Sequence, residues 1–465
     1  MMERIPLLSH MVIHRPPGPL FPNLRTLSFD FNTSKKQNPD LSFYLSPSII
    51  ELTVYIQEDL DVVNMIGLEE HLPRLQVFKI QLSVGWITTH VINLMMPTLY
   101  AMTNLTHIDI GTGDPNRAMP VDFVTLISLS RHPALRKFNL LLSDTDFDLD
   151  NISAQLIHGF PSLESLMIDW YGEDDMYYVI STIIQSITSA NFREIQLDLP
   201  EHFTSGLVSH LFACIALHNL RSVTIRYPHW EEEEDSRDEV RLYCHLEPYV
   251  IEQLLPLTKL ETLSFLGIST NWRGSLSSKM ANAWPTIREL LFLQPGQSGT
   301  CDELNNPSLT YMPIQDLAYF ARHCKKLTRI ALPYRSMYES DIDIPLRYRL
   351  HTNKRTPIYV ADDGTFSLNN LATATFLYYL FGKKVSTRPT QSNLFTLHGG
   401  LTKLYAAVAK AEERGNEEEL DLDYKDWIRA EYMEVEIKSD SELEDTVIRP
   451  GLWHAIGYRL QGQRR

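Results

Sequence analysis

The chain has 465 residues, 44% of them hydrophobic and 22% charged, with a net charge of −16 at pH 7. It is long enough to bury a large core, as one long array or as two to three compact domains, and no run of about 18 apolar residues is present to span a membrane. The charge is uneven, with 15 Asp/Glu against 4 Lys/Arg in residues 412–445, or −11 of the −16; without a basic stripe to offset phosphate repulsion, no nucleic-acid partner is expected.

Residues 1–23 read as an N-terminal lead or partial cap. Their apolar patch is broken by His10, His14 and Arg15, and it lacks the sustained apolar region and small-residue cleavage site of a secretory signal. The four cysteines (Cys214, Cys244, Cys301 and Cys324) form no CxxC pair. A disulfide framework or a zinc site is therefore not expected, and a reducing compartment, cytoplasmic or nuclear, fits.

From residue 24 the chain repeats one phrase, (P)-x-L-x-x-L-x-[LIVF]. It appears as FPNLRTLSF at 21–29, LPRLQVFKI at 72–80, FPSLESLMI at 160–168 and WPTIRELLF at 284–292. The apolar triplets run Leu24/Leu27/Phe29, Ile49/Leu52/Val54, Leu75/Phe78/Ile80, Leu105/Ile108/Ile110 and Leu135/Phe138/Leu140. They continue with Leu163/Leu166/Ile168, Phe192/Ile195/Leu197, Leu220/Val223/Ile225, Leu260/Leu263/Phe265, Ile287/Leu290/Phe292 and Leu327/Ile330/Leu332. The eleven starts lie 25 to 30 residues apart, except for two gaps of 40. That spacing predicts a leucine-rich repeat solenoid over 24–340. The last two apolar residues of each phrase alternate, so in a strand both point to one side.

Between the phrases, FVTLISLSRH (123–132), VISTIIQSIT (179–188), LVSHLFACIALH (207–218), VIEQLLPL (250–257) and IQDLAYFARHC (314–324) carry apolar residues at three- and four-residue steps, which predicts helices. Strands joined by such crossovers pair in parallel. The expected architecture is α/β: a horseshoe with a parallel sheet on its concave face and helices on its convex face. A doubly wound α/β domain also alternates strands and helices, but it does not require the phrase to hold its phase through eleven turns. It would also normally carry a Gly-rich phosphate loop, which is missing.

The residues between the inward leucines point out onto the sheet. Among them, Tyr55, Lys79, Asp109, Asn139, Asp169, Gln196, Asp198 and Arg226, with Trp170 and Trp230 just past strand ends, form the predicted partner-binding face and rim. Eleven strands about 4.8 Å apart give a surface roughly 48 Å long, enough for a peptide or a folded protein. The early and middle turns are polar and lean acidic, whereas the last turns become apolar. Each rim aromatic can equally serve to seal the core from the side. The two 40-residue gaps hold WEEEEDSRDE (230–239), read as a solvated loop or a contact for a basic partner, and LQPGQSGTCDELNNPSLTYMP (293–313), read as a surface excursion.

No segment spells catalytic chemistry. HExxH and GxxxxGK[ST] are absent; GQSGT (296–300) fails the GxSxG spacing; GTGDPN (111–116) lacks a following helix at the needed distance. No catalytic residue, metal site or cofactor is expected. Residues 341–400 read as a degenerate last repeat and cap. The acidic extension 401–465 opens with LTKLYAAVAKAEERG (401–415), an amphipathic helix by pattern.

FYLSPSIIELTVYI (43–56), AWPTIRELLFL (283–293), IQDLAYFARHCKKLTRIALPY (314–334) and ATATFLYYLFGKKVS (372–386) resemble the leucine-rich regions of fungal F-box proteins, especially the mushroom-type families, over roughly residues 20–390. In ATATFLYYLFGKKVS, Gly382 stands where those families commonly have Pro. The resemblance implies a non-enzymatic module that presents a protein substrate on the concave face to a ubiquitin ligase. It also implies an N-terminal F-box that grips a ligase adaptor. The residues before the first phrase do not spell three helices, so that domain is expected to be encoded upstream or lost. A stand-alone leucine-rich-repeat scaffold with no ubiquitin link is the alternative.

Overall fold

A computed structural model describes residues 21–31, 41, 44–56, 59–82, 89–110, 121, 123–142, 156, 158–170, 176–199, 204–227, 245–273, 275–293, 312–313, 316–332, 334–335, 358–361 and 385–388. The chain divides into two units, Met1–His398 and Gly399–Arg465, and every described residue lies in the first. The acidic extension lies outside the described residues.

Thirteen strands make one sheet in strict chain order. They are β1 (Thr26–Asp30), β2 (Glu51–Ile56), β3 (Val77–Leu82), β4 (His107–Ile110), β5 (Lys137–Leu142), β6 (Ser165–Trp170), β7 (Glu194–Asp198), β8 (Ser222–Arg226), β9 (Thr262–Leu266), β10 (Glu289–Leu293), β11 (Arg329–Ala331), β12 (Ile358–Ala361) and β13 (Val385–Arg388). Every neighbouring pair is parallel. Each of the eleven predicted phrases supplies one strand, and the register aligns their second and third apolar positions: Leu52 with Phe78, Ile108 with Phe138, Leu263 with Leu290. The fold is an α/β leucine-rich repeat solenoid.

The phrase specifies the turn in three ways. Its apolar triplets are buried throughout, apart from Leu24 and Leu27 in the first turn, which are partly buried. The carbonyl just after the first apolar position accepts from two consecutive amides of the next turn. Arg25 O takes Ile50 and Glu51 N–H, Arg136 O takes Glu164 and Ser165 N–H, and Arg288 O takes Thr328 and Arg329 N–H. The side chain just before the triplet often reaches back one turn as well: Ser48 Oγ donates to Pro22 O (2.7 Å), Asn104 Nδ2 to Pro73 O (2.8 Å) and Ser162 Oγ to Pro133 O (2.6 Å). These bonds lock successive turns in one register, the only way an open-ended coil can share a core.

The connecting layer holds α1 (Asp59–Val63), α2 (Leu68–His71), α3 (Thr89–Ala101), α4 (Phe123–Ser130), α5 (Met176–Ser186), α6 (Ser205–Ile215), α7 (Pro248–Glu252), α8 (Leu276–Ala283) and α9 (Leu317–His323). Thr204 caps α6, its side chain accepting from Leu207 N–H. All five predicted helices form; α7 starts two residues early, at Pro248, and ends at Glu252 where 257 was expected, the chain going on in turns with Gln253 N–H on Val250 O and Leu254 N–H on Ile251 O. The sequence reading assigned no helix to 89–101, where Pro97 argues against one. There the burial of Met95, Met96, Leu99 and Met102 against the sheet outweighs one missing backbone bond. A helix is about 10 Å wide and a strand row about 4.8 Å, so the helical layer takes the outer, convex side and the sheet the inner one.

Two features depart from the plain repeat. The 40-residue gaps each add a short parallel ladder outside the main sheet: His245–Leu246 against Ser269–Thr270, and Met312–Pro313 against Tyr334–Arg335. Between β5 and β6 the chain comes in through His158 (φ 64°) and Phe160 (φ 52°), in the left-handed region that non-glycine residues rarely adopt. Gly159 between them bridges Ile187, and a Cβ there would sit 3.0 Å from Ser130 Cβ. The close approach of three turns explains the glycine.

Candidate functional site

Side chains alternate across each strand, so with positions two and four under the helices, positions one, three and five line the open face. From β1 to β11 these rows carry seven acids (Asp30, Glu51, Asp109, Asp169, Glu194, Asp198 and Glu289) and four bases (Lys79, Lys137, Arg226 and Arg329). Three of the bases are matched on the face itself. Lys79 meets Glu51 at 2.9 Å, Arg329 meets Glu289 at 3.1 Å, and Arg226 meets Asp198 through two bonds, Nε to Oδ1 at 2.6 Å and Nη2 to Oδ2 at 2.7 Å.

The Arg226 cluster is the most built part of this surface. Asp169, Asp198 and Arg226 occupy the fifth position of β6, β7 and β8, three successive turns. Gln196 lies beside them, and since only its amide oxygen can accept from the guanidinium, the orientation that satisfies both groups sets that oxygen 3.1 Å from Arg226 Nε and 3.0 Å from Nη2. Asp169 is 9% exposed and Asp198 7%. Asp169 Oδ1 is buried with no hydrogen-bond donor, Arg226 Nη2 standing 3.6 Å away. Burial pushes the Asp169 carboxyl up to about 8; Asp198, by its charge and by a hydrogen bond to Asp169, and the Asp109 carboxylate add to the rise, and Arg226 opposes it. The pair thus holds a proton at neutral pH.

Asp109 (8% exposed) continues the tract on β4, accepting from Asn139 Nδ2 of β5 at 3.3 Å. Lys79 stands in register with Asp109 across β3 and β4. Next to them His107 is half-buried, with its Nε2 lacking a hydrogen-bond partner; burial lowers its pKa, Asp109 raises it, and Lys79 and Lys137 lower it further.

Of the ten predicted contact residues, the structure gathers seven into this band: Lys79, Asp109, Asn139, Asp169, Gln196, Asp198 and Arg226. Tyr55 sits apart on β2, half-buried, in register with Asp30 and Gln81. Trp170 needs correcting. It was predicted at the rim, but β6 runs one residue further than the phrase requires, so alternation carries Trp170 inward after Leu166 and Ile168. It is 1% exposed and packs edge-on to Tyr177, ring centroids 5.5 Å apart. Trp230 lies outside the described residues.

The sequence reading did not single out the position just before each strand, where Arg136, Glu164 and Arg193 follow one another, and then Arg221, Glu261 and Arg288. Glu164 bonds both arginines (3.5 and 3.2 Å), and Glu261 both of its own (3.3 Å each). The alternation of sign at one repeat position was the available signal. Among the described residues no group of three or more His, Cys, Asp or Glu could hold a metal ion. Cys214 and Cys324 are free and buried, and burial pushes the Cys324 thiol up to about 12.

No family model matches the sequence, and no curated protein matches it. Solved structures align weakly. The TLR13–ssRNA13 complex aligns at 13% identity and a TM-score of 0.35, over 76% of this chain and 44% of that one. The complex of Rad7 and Elc1 in yeast aligns at 13% and 0.34, over 74% and 82%. The Q64V53_BACFR protein of Bacteroides fragilis aligns at 14% and 0.24, over 53% and 66%. The chain thus spans under half the length of the TLR13 chain.

Proposed function

We propose that the open face of the solenoid binds another protein, and that the chain is the substrate-recognition region of an F-box-type ubiquitin-ligase receptor. One observation carries the first half. The face between β3 and β8 concentrates half-buried and buried polar side chains that are fixed by one another. Preset polar groups of this kind hold a partner in register at little entropic cost. The second half rests on the ordered resemblance of residues 20–390 to fungal F-box leucine-rich regions. In this reading, residues 24–340 form the recognition array, 341–400 its cap and 401–465 an acidic extension. The protein acts in a reducing compartment, cytoplasmic or nuclear, which suits the free Cys214 and Cys324.

The test is affinity capture with three chains. Wild type retains a partner together with ligase adaptor and cullin subunits. A double variant, Thr53→Trp and Thr224→Trp, places two indoles on the open face, where both threonines are half-buried and outward; it folds normally by circular dichroism and loses the partner. Leu217→Arg, at a side chain 73% exposed outside the sheet, keeps it. Capture unaffected by the indoles overturns the face. Capture that never includes adaptor or cullin, even with upstream coding sequence added, overturns the ligase assignment and leaves a scaffold.

A further inference from the structure

The Arg226 cluster sets two buried acids, Asp169 and Asp198, beside one base. Arg226 turns its Nε and Nη2 to Asp198, at 2.6 and 2.7 Å, and with the Gln196 amide oriented oxygen-inward the same two nitrogens also reach that oxygen. Asp169, nine-tenths buried beside them, is hydrogen-bonded to Asp198 and ion-paired with Arg226, yet its Oδ1 has no hydrogen-bond donor, since Nη2 at 3.6 Å is beyond hydrogen-bond reach. A buried acceptor left unmet is destabilising, and more so when charged. A fold tolerates such a group where something else completes it.

We propose that the Asp169–Asp198 pair is a socket for one cationic side chain, guanidinium or ammonium, of the protein bound on the open face. The inference rests on reading that face as a protein-binding surface, and it names the partner's chemistry. Four observations select a cation. The orphaned oxygen is an acceptor and lies on an outward row of the sheet. Asp109, two strands away, adds negative potential and raises the Asp169 carboxyl's proton affinity. Among the described residues no three acids close into a metal-binding set, so the socket suits an organic cation with fixed donors better than a divalent ion that needs many oxygens. The sequence leaving the neighbouring strands also has the same sign. SDTDFDLD (143–150) follows β5, YGEDD (171–175) follows β6, and PHWEEEEDSRDE (228–239) follows β8, with a single arginine among them. Those segments lie outside the described residues and form no part of the socket; their charge bears only on which partners approach.

Entry of the cation displaces the proton. In the free chain the pair holds one proton at neutral pH; when an ammonium or guanidinium donates to Asp169, its carboxyl ionises and the proton leaves to solvent. The groups facing Asp169 from the packed strands are Asp198 on β7, Arg226 on β8 and Asp109 on β4. Binding therefore tightens as pH rises through about 8 and levels off above it.

The experiment uses the full chain with methyl-labelled methionine. Met167 sits on the same face, in register between Asn139 and Gln196, and reports the socket. The probes are acetyl-Gly-Arg-Gly-amide, its lysine counterpart and its citrulline counterpart, each titrated at pH 6.5 and pH 9. At least one cationic peptide shifts the Met167 methyl saturably, the citrulline peptide does not, and affinity rises roughly thirtyfold between the two pH values. Asp169→Asn weakens the cationic peptide at least fivefold at pH 9, and Glu51→Gln leaves it unchanged. Arginine or lysine binding alone identifies which cation the socket takes. Equal binding of citrulline, no saturable shift with either cation, or full affinity in Asp169→Asn overturns the socket. So does calcium that competes with the peptide. If Asp169→Asn does not fold, the pH dependence and the citrulline control still decide. Should the socket fail while the indole variants still abolish capture, the protein-binding face stands without it.

Discussion

The two faces of the sheet are written by alternate residues of the same strands, yet they follow opposite rules. On the inner face, from β2 to β11, every turn repeats the same solution, an aliphatic or aromatic side chain aligned with its equivalents above and below. On the open face no two turns are alike, and the charges form a local network centred on Arg226. The inner face is fixed by the need to exclude water over the whole length of the coil, and any turn that failed would open its neighbours. The open face carries no such common duty, so its residues are free to differ, and where polar groups are nonetheless buried they mark a specific demand.

The sharpest way to break this contrast is to exchange charge between the faces. Leu166 is fully buried and Ser165 beside it is half-buried and outward. Leu166→Asp strands a carboxylate between turns and should cost at least about 4 kcal/mol in urea unfolding, enough to abolish folding of the middle turns. Ser165→Asp should cost under about 1 kcal/mol. Similar losses for the two would refute the assignment of faces.

A smaller effect follows from truncating the centre of the open network. Arg226→Met keeps the stem and removes the fork, leaving Asp198 and Asp169 facing each other without a base. The loss should be about 2–3 kcal/mol, since two charge-assisted bonds vanish and a buried acid is left unpaired. The double variant Arg226→Met, Asp198→Leu should recover most of it. If the single variant is as stable as wild type, the network is incidental.

How much of this contrast could be read from sequence differs between the faces for a physical reason. The inner ladder was legible in full over eleven turns, because burial restricts each position to a few residue types at fixed spacing. The fifth-position triad was half legible: Asp169, Asp198 and Arg226 fall at the same place in successive phrases, which makes them neighbours. Which acid takes the arginine, and how deeply both are buried, depends on side-chain geometry that no spacing encodes. Trp170 misled because an aromatic past a strand's nominal end has the same spelling at a rim as in a core; one extra paired residue decided it. β12 escaped notice because PIYVAD lacks the leading leucine that framed the earlier turns, and α3 because its proline conceals a buried methionine face.

Titration sharpens the comparison further. The Asp169 carboxyl is held near 8 in the folded chain, against about 4 when unfolded. The folded state therefore keeps a proton that unfolding releases, and stability falls as pH rises from about 4 to about 8, then levels. Asp169→Asn has no proton to lose. It should be less stable than or equal to wild type at pH 5 and more stable at pH 8.5, a swing of roughly 1–3 kcal/mol. Taking the difference between the two chains cancels the buried histidines His132 and His218. Burial depresses both pKa values, so they destabilise either chain equally as pH falls through about 6.5, the unfolded value. Urea midpoints at four pH values decide the matter; a constant difference would mean that Asp169 is ionised throughout.

The smallest effect belongs to the charges at the strand entries, and its smallness is informative. Glu164 bridges Arg136 and Arg193 across three turns, as Glu261 bridges Arg221 and Arg288. On paper these ladders tie the coil together more visibly than the Arg226 cluster does. Their arginines, however, are more than half exposed, at 51–62% of the side chain, so water and salt screen what the geometry offers. Glu164→Ala should cost no more than about 0.5 kcal/mol and should cost less still in 0.5 M salt, whereas the Arg226→Met loss should hardly respond to salt. If both losses screen alike, the cluster on the open face is as wet as the entry ladder. Its buried oxygen would then have water for a partner and no need of another protein's cation.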